Sequence, residues 1–489
     1  MADIAMTVAL AKALGGGGGG GGDVAKVLIA ANNSEQDIKD AADFVCSGVN
    51  DQIIINSLIE SRTNEEICLL PGDYYISGEI NPISNTKLSG IGNAKLHLAN
   101  RTVTTLKQAV SVNDKTIYLT DPSGFIVGQK IGIKYGNSDN ECDYNVGHIK
   151  TIDYETGAVT MYSRNITNKT QNIKEIDGFV NHSADAGALV FTDSPVIMGW
   201  AVDNVTICDL AIDGNSENLS GYASDTDYGS NLIEFWGGDN IRIKNNKLDD
   251  CYKHSVLFVY GTSNSAIIGN KINNALTHGI DLYTNVAYVI ISDNILTSAN
   301  IQCHGGSYTI ISDNLLTKCG IYNSNGARNL INGNLIDNKD TTIGRCITLL
   351  GTSCTDTEIS NNVCIGSAQG IQIDSGKQIK LSGNKFIATR TNAIHLYNTQ
   401  NCVVDNNDVN TPNTVTTGDA IKIESGAINN IITGNKIYGT IGKTTTAINE
   451  VSANDDYNII ANNEVFNCTN GIVTVGTHSV TQNNIVIAA

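Results

Sequence analysis

Residues 289–297 read VIISDNILT and residues 309–317 read TIISDNLLT, nearly the same word twenty residues apart. The shared core is an apolar residue, two variable ones, Asn, one variable residue and another apolar one. Its asparagine falls at Asn246, Asn270, Asn294, Asn314, Asn334, Asn362, Asn384, Asn407, Asn435, Asn463 and Asn484, with Asp209 of ICDLAI at the equivalent place one step earlier. Successive steps run from 20 to 28 residues. A second word, seen in GIDL 279–282, GIQI 370–373, AIHL 393–396, AIKI 420–423 and GIVT 471–474, precedes most of these asparagines.

A repeat this short cannot be a domain, and it holds no segment long enough for a crossover helix. Each repeat offers only short strands separated by turns. Such a period predicts a solenoid whose coils stack strand on strand, and the leucine pattern of leucine-rich repeats is absent. Equivalent positions of successive coils then stand about 4.8 Å apart. The repeated asparagine is expected at a turn, in the left-handed conformation it adopts at little cost. Its side-chain amide is expected to bond to the amides above and below, forming a ladder. The expected fold is all-β, a right-handed parallel β-helix with N-terminal capping helices and an inserted β subdomain.

Composition fits this. The chain has 31 Lys+Arg against 49 Asp+Glu and a formal net charge of −18, which opposes nucleic-acid backbones and anionic lipid. Five prolines leave strand ladders seldom interrupted. Most of the twelve cysteines sit in apolar runs such as VTICDLAI and NNVCIGSAQG, with no CxxC pair, and are expected to be buried free thiols. No zinc pattern or calcium-loop spacing appears, so neither a metal nor another cofactor is expected. No run of 18 apolar residues predicts membrane insertion. MADIAMTVALAKAL lacks a basic start and carries Asp3 and Lys12, so no signal peptide is expected.

The chain divides into an attachment helix, 1–14; a poly-Gly linker, 15–24; a helical cap and opening strand, 25–75; first coils, 76–103; an inserted β-rich subdomain, 104–190; and the main β-helix, 191–489. Eight consecutive glycines, Gly15–Gly22, make the linker a flexible tether. Ser34 is the expected cap of one helix in SEQDIKDAADFVCSG, and Asn50 or Asp51 that of a second in NDQIIINSLIES.

Alternation places candidate site residues. In GIDLY, Ile280 and Leu282 face inward, so Asp281 and Tyr283 face outward. Aligning the coils by their distance to the next asparagine gives two outward files. One runs Glu234, Leu257, Asp281, Gln302, Tyr322, Thr348, Gln372, His395 and Lys422. Its neighbour runs Trp236, Val259, Tyr283, His304, Ser324, Leu350, Asp374, Tyr397 and Glu424. Glu234 and Asp281 are expected two coils apart, about 9–10 Å between backbones. That is close to the separation at which one carboxylic acid protonates a glycosidic oxygen while a carboxylate activates water. His254 and His278 each follow a ladder asparagine by eight residues and complete the candidate catalytic set. Trp236, Tyr283, His304 and Tyr322 are the candidate substrate-binding residues. A separate set, His395, Tyr397, Lys422 and Glu424, suits lyase or epimerase chemistry, in which a base abstracts the proton beside a carboxylate. The competing expectation is a plain solvated face with turn histidines.

ADFVCSGVNDQIIINSLIES, then EEICLLPGDYYISGEI and KLSGIGNAKLHL, resembles the start of pectate-lyase-like (pectin-lyase-like) β-helices of bacteriophage tail proteins. SGFIVGQKIGI and IKTIDYETGAVTM are similar to a β subdomain inserted in members of that group, and VTICDLAIDGN resembles the coil that follows it. The likeness covers roughly residues 25–489. It implies a tail-fibre or tailspike type of β-helix, often a homotrimer, carried on a virion to bind or cleave host surface polysaccharide. It also implies contact with other virion or tail proteins through residues 1–22 and assembly in the host cytoplasm. The calcium-and-arginine signature of pectate lyases is absent, so pectin cleavage is not implied.

Overall fold

The computed structural model describes residues 25–134, 144–165, 174–177, 183–219, 230–339, 344–410, 418–439 and 446–487. The attachment helix and glycine linker expected over 1–24 lie outside these residues. The described residues form two compact units, those up to 263 together with 275–277, and 264–274 together with those from 278 onward.

The first unit opens with strand Lys26–Ala30, which pairs in parallel with Glu66–Leu69. Between them lie helix α1, Gln36–Ala41, and helix α2, Gln52–Ser61, whose Ile55, Leu58 and Ile59 are buried. Ser34 does not cap α1, whose N-cap is Glu35, whereas α2 starts at the expected N-cap Asp51 but without a side-chain cap bond. Ser34 Oγ instead donates to the Pro71 carbonyl at 2.7 Å. Asp51 occupies the α2 N-cap position, but its carboxylate accepts the Gly48 and Tyr75 N–H groups at 2.8 and 2.9 Å. Both carboxylate oxygens are thereby used by backbone N–H groups of a loop and a strand rather than by the first turn of the helix.

Coil strands follow in three parallel sheets. The first includes Lys87–Gly90, Thr206–Cys208 and Arg242–Lys244; the second Ala94–Leu98, Ala211–Asp213 and Lys247–Cys251; the third Ile197–Trp200, Ile233–Trp236 and His254–Val259. Strands from Val103–Thr105 to Leu189–Thr192 form a separate antiparallel sheet around Ile117, Ile131, Ile133, Ile149, Val159 and Val190. Its ETG turn needs glycine: Gly157 has φ +77°, and a Cβ there would lie 2.2 Å from the Leu119 carbonyl oxygen. This sheet is tied to the first coils by a buried pair, His148 Nε2 to Glu79 Oε1 at 3.0 Å, and by Gln129 Nε2 donating to the Ser77 carbonyl at 2.7 Å.

In the second unit the predicted register is realised. The third sheet pairs His278–Tyr283, Ile301–His304, Ile321–Ser324, Arg345–Leu350, Gln369–Asp374, Ile394–Tyr397 and Ile421–Glu424 in order. One inward file along it is all isoleucine, Ile280, Ile301, Ile321, Ile347, Ile371, Ile394, Ile421 and Ile448, each fully buried. β-branched side chains suit this stacked surface, and each buried one contributes roughly 1.5–3 kcal/mol before entropy.

The asparagine ladder runs unbroken from Asn270 to Asn484. In each step the backbone N–H and side-chain Nδ2 of one asparagine donate to Oδ1 of the next, at 2.9–3.1 Å. The left-handed residue is not the ladder asparagine but the one before it: Asp293, Asp313, Asn361, Asn406, Asn462 and Asn483 have φ between 52° and 58°. Gly269, Gly333, Gly383 and Gly434 fill that place elsewhere. The turn thus divides the labour, with the preceding residue reversing the chain so that the asparagine can aim inward. Asp209 correspondingly stands at the left-handed position with φ 59°, and Leu210 takes the ladder place, donating its N–H to Asn246 Oδ1 at 3.1 Å.

Eleven cysteines are free and buried; Cys142 lies outside the described residues. Burial raises the thiols of Cys251 to about 12 and of Cys319 and Cys402 to about 11. At pH 8 such values leave roughly 10²–10³-fold less of the reactive thiolate than an ordinary cysteine has. The thiols of Cys251, Cys319 and Cys402 should therefore react with an aromatic disulfide reagent at least about a hundredfold slower in native than in unfolded protein. Rapid native labelling of several would contradict the burial described.

Candidate functional site

The candidate residues fall in both units, and each group is described within its own. In the first unit Glu234 is on strand Ile233–Trp236, with Ile233 and Phe235 turned into the core. Its carboxylate faces outward as expected but is fully buried rather than solvated. Asn231 Nδ2 donates to Oε2 at 2.8 Å, and the Trp236 indole N–H donates to Oε1. The indole that was expected to meet a sugar covers this acid. Trp236 lies between Trp200, 5.0 Å away by ring centroids, and Tyr260, 5.3 Å away. His254 is buried, and its backbone N–H donates to Asn231 Oδ1 at 3.0 Å. Extending the outward file back one coil, by the Trp200–Trp236 register, would have found this aromatic row from sequence.

In the second unit, four of the candidates converge. Asp281 stands on His278–Tyr283 and is only 2% exposed, so it too is outward yet covered. His304 Nδ1 lies 3.7 Å from Asp281 Oδ1. The other imidazole nitrogen meets Gln302 Nε2 at 2.9 Å. The Tyr283 ring stands edge-on to His304 at 5.5 Å and the His278 ring at 6.3 Å. Register alone explains the cluster: Asp281 pairs with Gln302 and Tyr283 with His304 across adjacent strands. Gln302 had been placed in the file without a role; its amide fixes the orientation of the histidine. On the next coil Tyr322 pairs with Gln302, and burial raises its phenol above the ordinary value against the pull of the Arg345 cation.

Further along this sheet Thr348, Gln372, His395 and Lys422 continue the file, with Leu350, Asp374, Tyr397 and Glu424 beside them. His395 Nε2 meets Glu424 Oε1 at 2.7 Å, and Lys422 Nζ meets Oε2 at 2.6 Å. Burial pushes the His395 imidazole below its ordinary value, more than Glu424 raises it. Burial opposes the Glu424 charge, yet Lys422 and His395 together hold that carboxyl below its usual range. Tyr397 is 37% exposed, its ring edge-on to His395 at 6.0 Å. Among the described residues no group of three or more His, Cys, Asp and Glu side chains could hold a metal ion. No helix of the described residues is long and apolar enough to cross a membrane.

Residues 231–409 match the family described as Right handed beta helix region, which gives the coils their hand and agrees with the fold expected from the repeat. No curated protein matches the sequence. Among solved structures, the N-terminal fragment of bacteriophage phi29 gene product 12 aligns with a TM-score of 0.55 at 12% identity, over 88% of this chain and 69% of that one. The pre-mature form of the same bacteriophage protein aligns with a TM-score of 0.53 at 12% identity, over 91% of this chain. The chain spans 55% of that protein's length. The A-module of mannuronan C-5 epimerase AlgE6 from Azotobacter vinelandii aligns with a TM-score of 0.48 at 11% identity, over 90% of this chain and 96% of that one. At these identities the shared property is the fold, an all-β parallel solenoid.

Proposed function

We propose that the chain is a virion-surface protein that binds host cell-surface polysaccharide along the third sheet of its second unit. The observation that carries this reading is the convergence of Asp281, His304, Gln302, Tyr283 and His278 on one sheet face, continued in register by Tyr322 and later coils. A row of hydrogen-bonding groups with aromatic edges, repeated about every 4.8 Å, suits a long hydroxylated polymer. The fold shared with a bacteriophage protein supports the virion part. Residues 1–22 are the proposed attachment to other virion proteins, and a homotrimer the proposed assembly.

A second reading, cleavage, is favoured by the Asp281–His304 pair, a buried carboxylate beside an imidazole that can hold or give a proton. Glu234 fits poorly as its partner, because both its oxygens are already occupied by Asn231 and Trp236. The His395 set fits elimination poorly, since a uronate needs a free cation and Lys422 is engaged by Glu424 at 2.6 Å.

The test is to incubate the purified chain with candidate host cell-wall polysaccharides, measuring retention on the polymer and released oligosaccharides by mass spectrometry. Retention supports binding, and released saturated fragments add hydrolysis. Absence of retention on every host polysaccharide overturns the reading.

A further inference from the structure

Three consecutive strands of the second unit carry buried polar atoms with no hydrogen-bond partner: Thr348 Oγ1, Gln372 Oε1 and His395 Nδ1. The three residues are direct register neighbours, Thr348 to Gln372 to His395. Thr348 is fully buried, and Gln372 and His395 are each 7% exposed. An isolated orphan is a local defect, but three in one file, spanning about 9–10 Å by strand spacing, describe a floor prepared for something.

The chemistry of the floor is one-sided. His395 Nε2 faces the Glu424 carboxylate at 2.7 Å and so carries the proton, which leaves Nδ1 an acceptor. Gln372 offers its carbonyl oxygen, and Thr348 a hydroxyl that gives or accepts. The neighbouring file adds the carboxylates of Asp374 and Glu424. Lys422 is ion-paired with Glu424 at 2.6 Å, and Arg345 Nε donates to the Gln369 side-chain carbonyl at 2.8 Å. An anionic group here would set its own lone pairs against those of His395 Nδ1 and Gln372 Oε1. A hydroxyl donor would complete the orphaned acceptors.

We propose that Thr348, Gln372 and His395 form the floor of a subsite for an uncharged, hydroxyl-bearing sugar residue. It rests on the reading of this face as polysaccharide-binding and narrows its substrate class to neutral saccharides. Tyr397, the exposed aromatic on the adjoining file, forms the rim over which the sugar enters.

The test is calorimetric titration of the full chain with neutral gluco-oligosaccharides and N-acetylglucosamine oligomers, against oligogalacturonate and oligomannuronate. Neutral oligomers bind and uronates do not. Thr348→Val and Gln372→Leu each weaken the neutral ligand about tenfold, the effect of one hydrogen bond with its partner stranded. In ligand-free protein Thr348→Val raises the thermal midpoint, because it removes a buried hydroxyl that nothing satisfies. That pairing, tighter fold and weaker binding, is not produced by a hydroxyl with a merely structural role. Uronates binding in place of neutral oligomers overturns the subsite alone. So does a lowered Thr348→Val midpoint or unchanged affinity in both variants. Failure of both oligosaccharide classes overturns the subsite together with the polysaccharide reading on which it rests.

Discussion

Asn334→Ala lowers the stability of the second unit by about 3–5 kcal/mol, the sum of two or three buried backbone groups each losing a partner at roughly 1–3 kcal/mol. Asn334 Oδ1 accepts the Asn314 N–H at 3.1 Å and the Asn314 side-chain amide at 2.9 Å. Its Nδ2 donates to the carbonyls of Ile311 and Asn332 at 2.9 and 3.2 Å, and to Asn362 at 2.9 Å. The residue is fully buried, so water cannot replace these bonds. Asp in its place keeps the acceptor but strands the donors' partners and buries a charge, and is expected to be worse. Asp313→Gly, at the turn position just before the preceding ladder residue Asn314, is nearly neutral because φ +56° suits glycine. Urea unfolding of the three variants checks the order. A loss below about 0.5 kcal/mol for Asn334→Ala, the range of ordinary surface substitutions, would show that the ladder is decoration.

On the cleavage reading proposed above, Asp281→Asn reduces fragment release by about 10²–10⁴, the usual contribution of a positioned acid or base, and leaves retention on the polymer within about tenfold. The amide keeps the shape of the buried carboxylate, and the inward neighbours Ile280 and Leu282 are untouched, so the coil stays folded. His304→Gln should follow the same pattern, since its Nδ1 lies 3.7 Å from the carboxylate. Glu234→Gln is the contrasting variant. It disturbs the bonds from Asn231 and the Trp236 indole, so it should lower the melting temperature and not act selectively on cleavage. Equal fragment yields from wild type and Asp281→Asn would remove this pair from the chemistry.

The architecture was legible because a solenoid writes its geometry as a period. The asparagines alone placed the ladder, and alternation in GIDLY put Ile280 and Leu282 inside with Asp281 and Tyr283 opposite. Which neighbour of a turn bends backward was not legible, because Asp, Asn and Gly before the ladder residue vary while the repeated letter draws the eye. Nor could a period of two tell outward from exposed. Glu234 and Asp281 point away from the core, but side chains of their own and adjacent strands close over them. Asp51 is the N-cap of α2 as expected, but that its carboxylate would serve Tyr75, 24 residues away, and not the helix was illegible, because only the folded chain shows that demand.

The most direct test of the binding face uses oligosaccharides prepared from a host polysaccharide that the chain retains, each carrying a photoreactive group at its reducing end. Mass spectrometry of the irradiated complex then locates the adducts. They are predicted on peptides spanning His278–His304 and Arg345–Tyr397, at third-sheet strands of the second unit. Adducts confined to the first- or second-sheet strands, such as Ile310–Ser312 or Leu315–Thr317, would contradict the account.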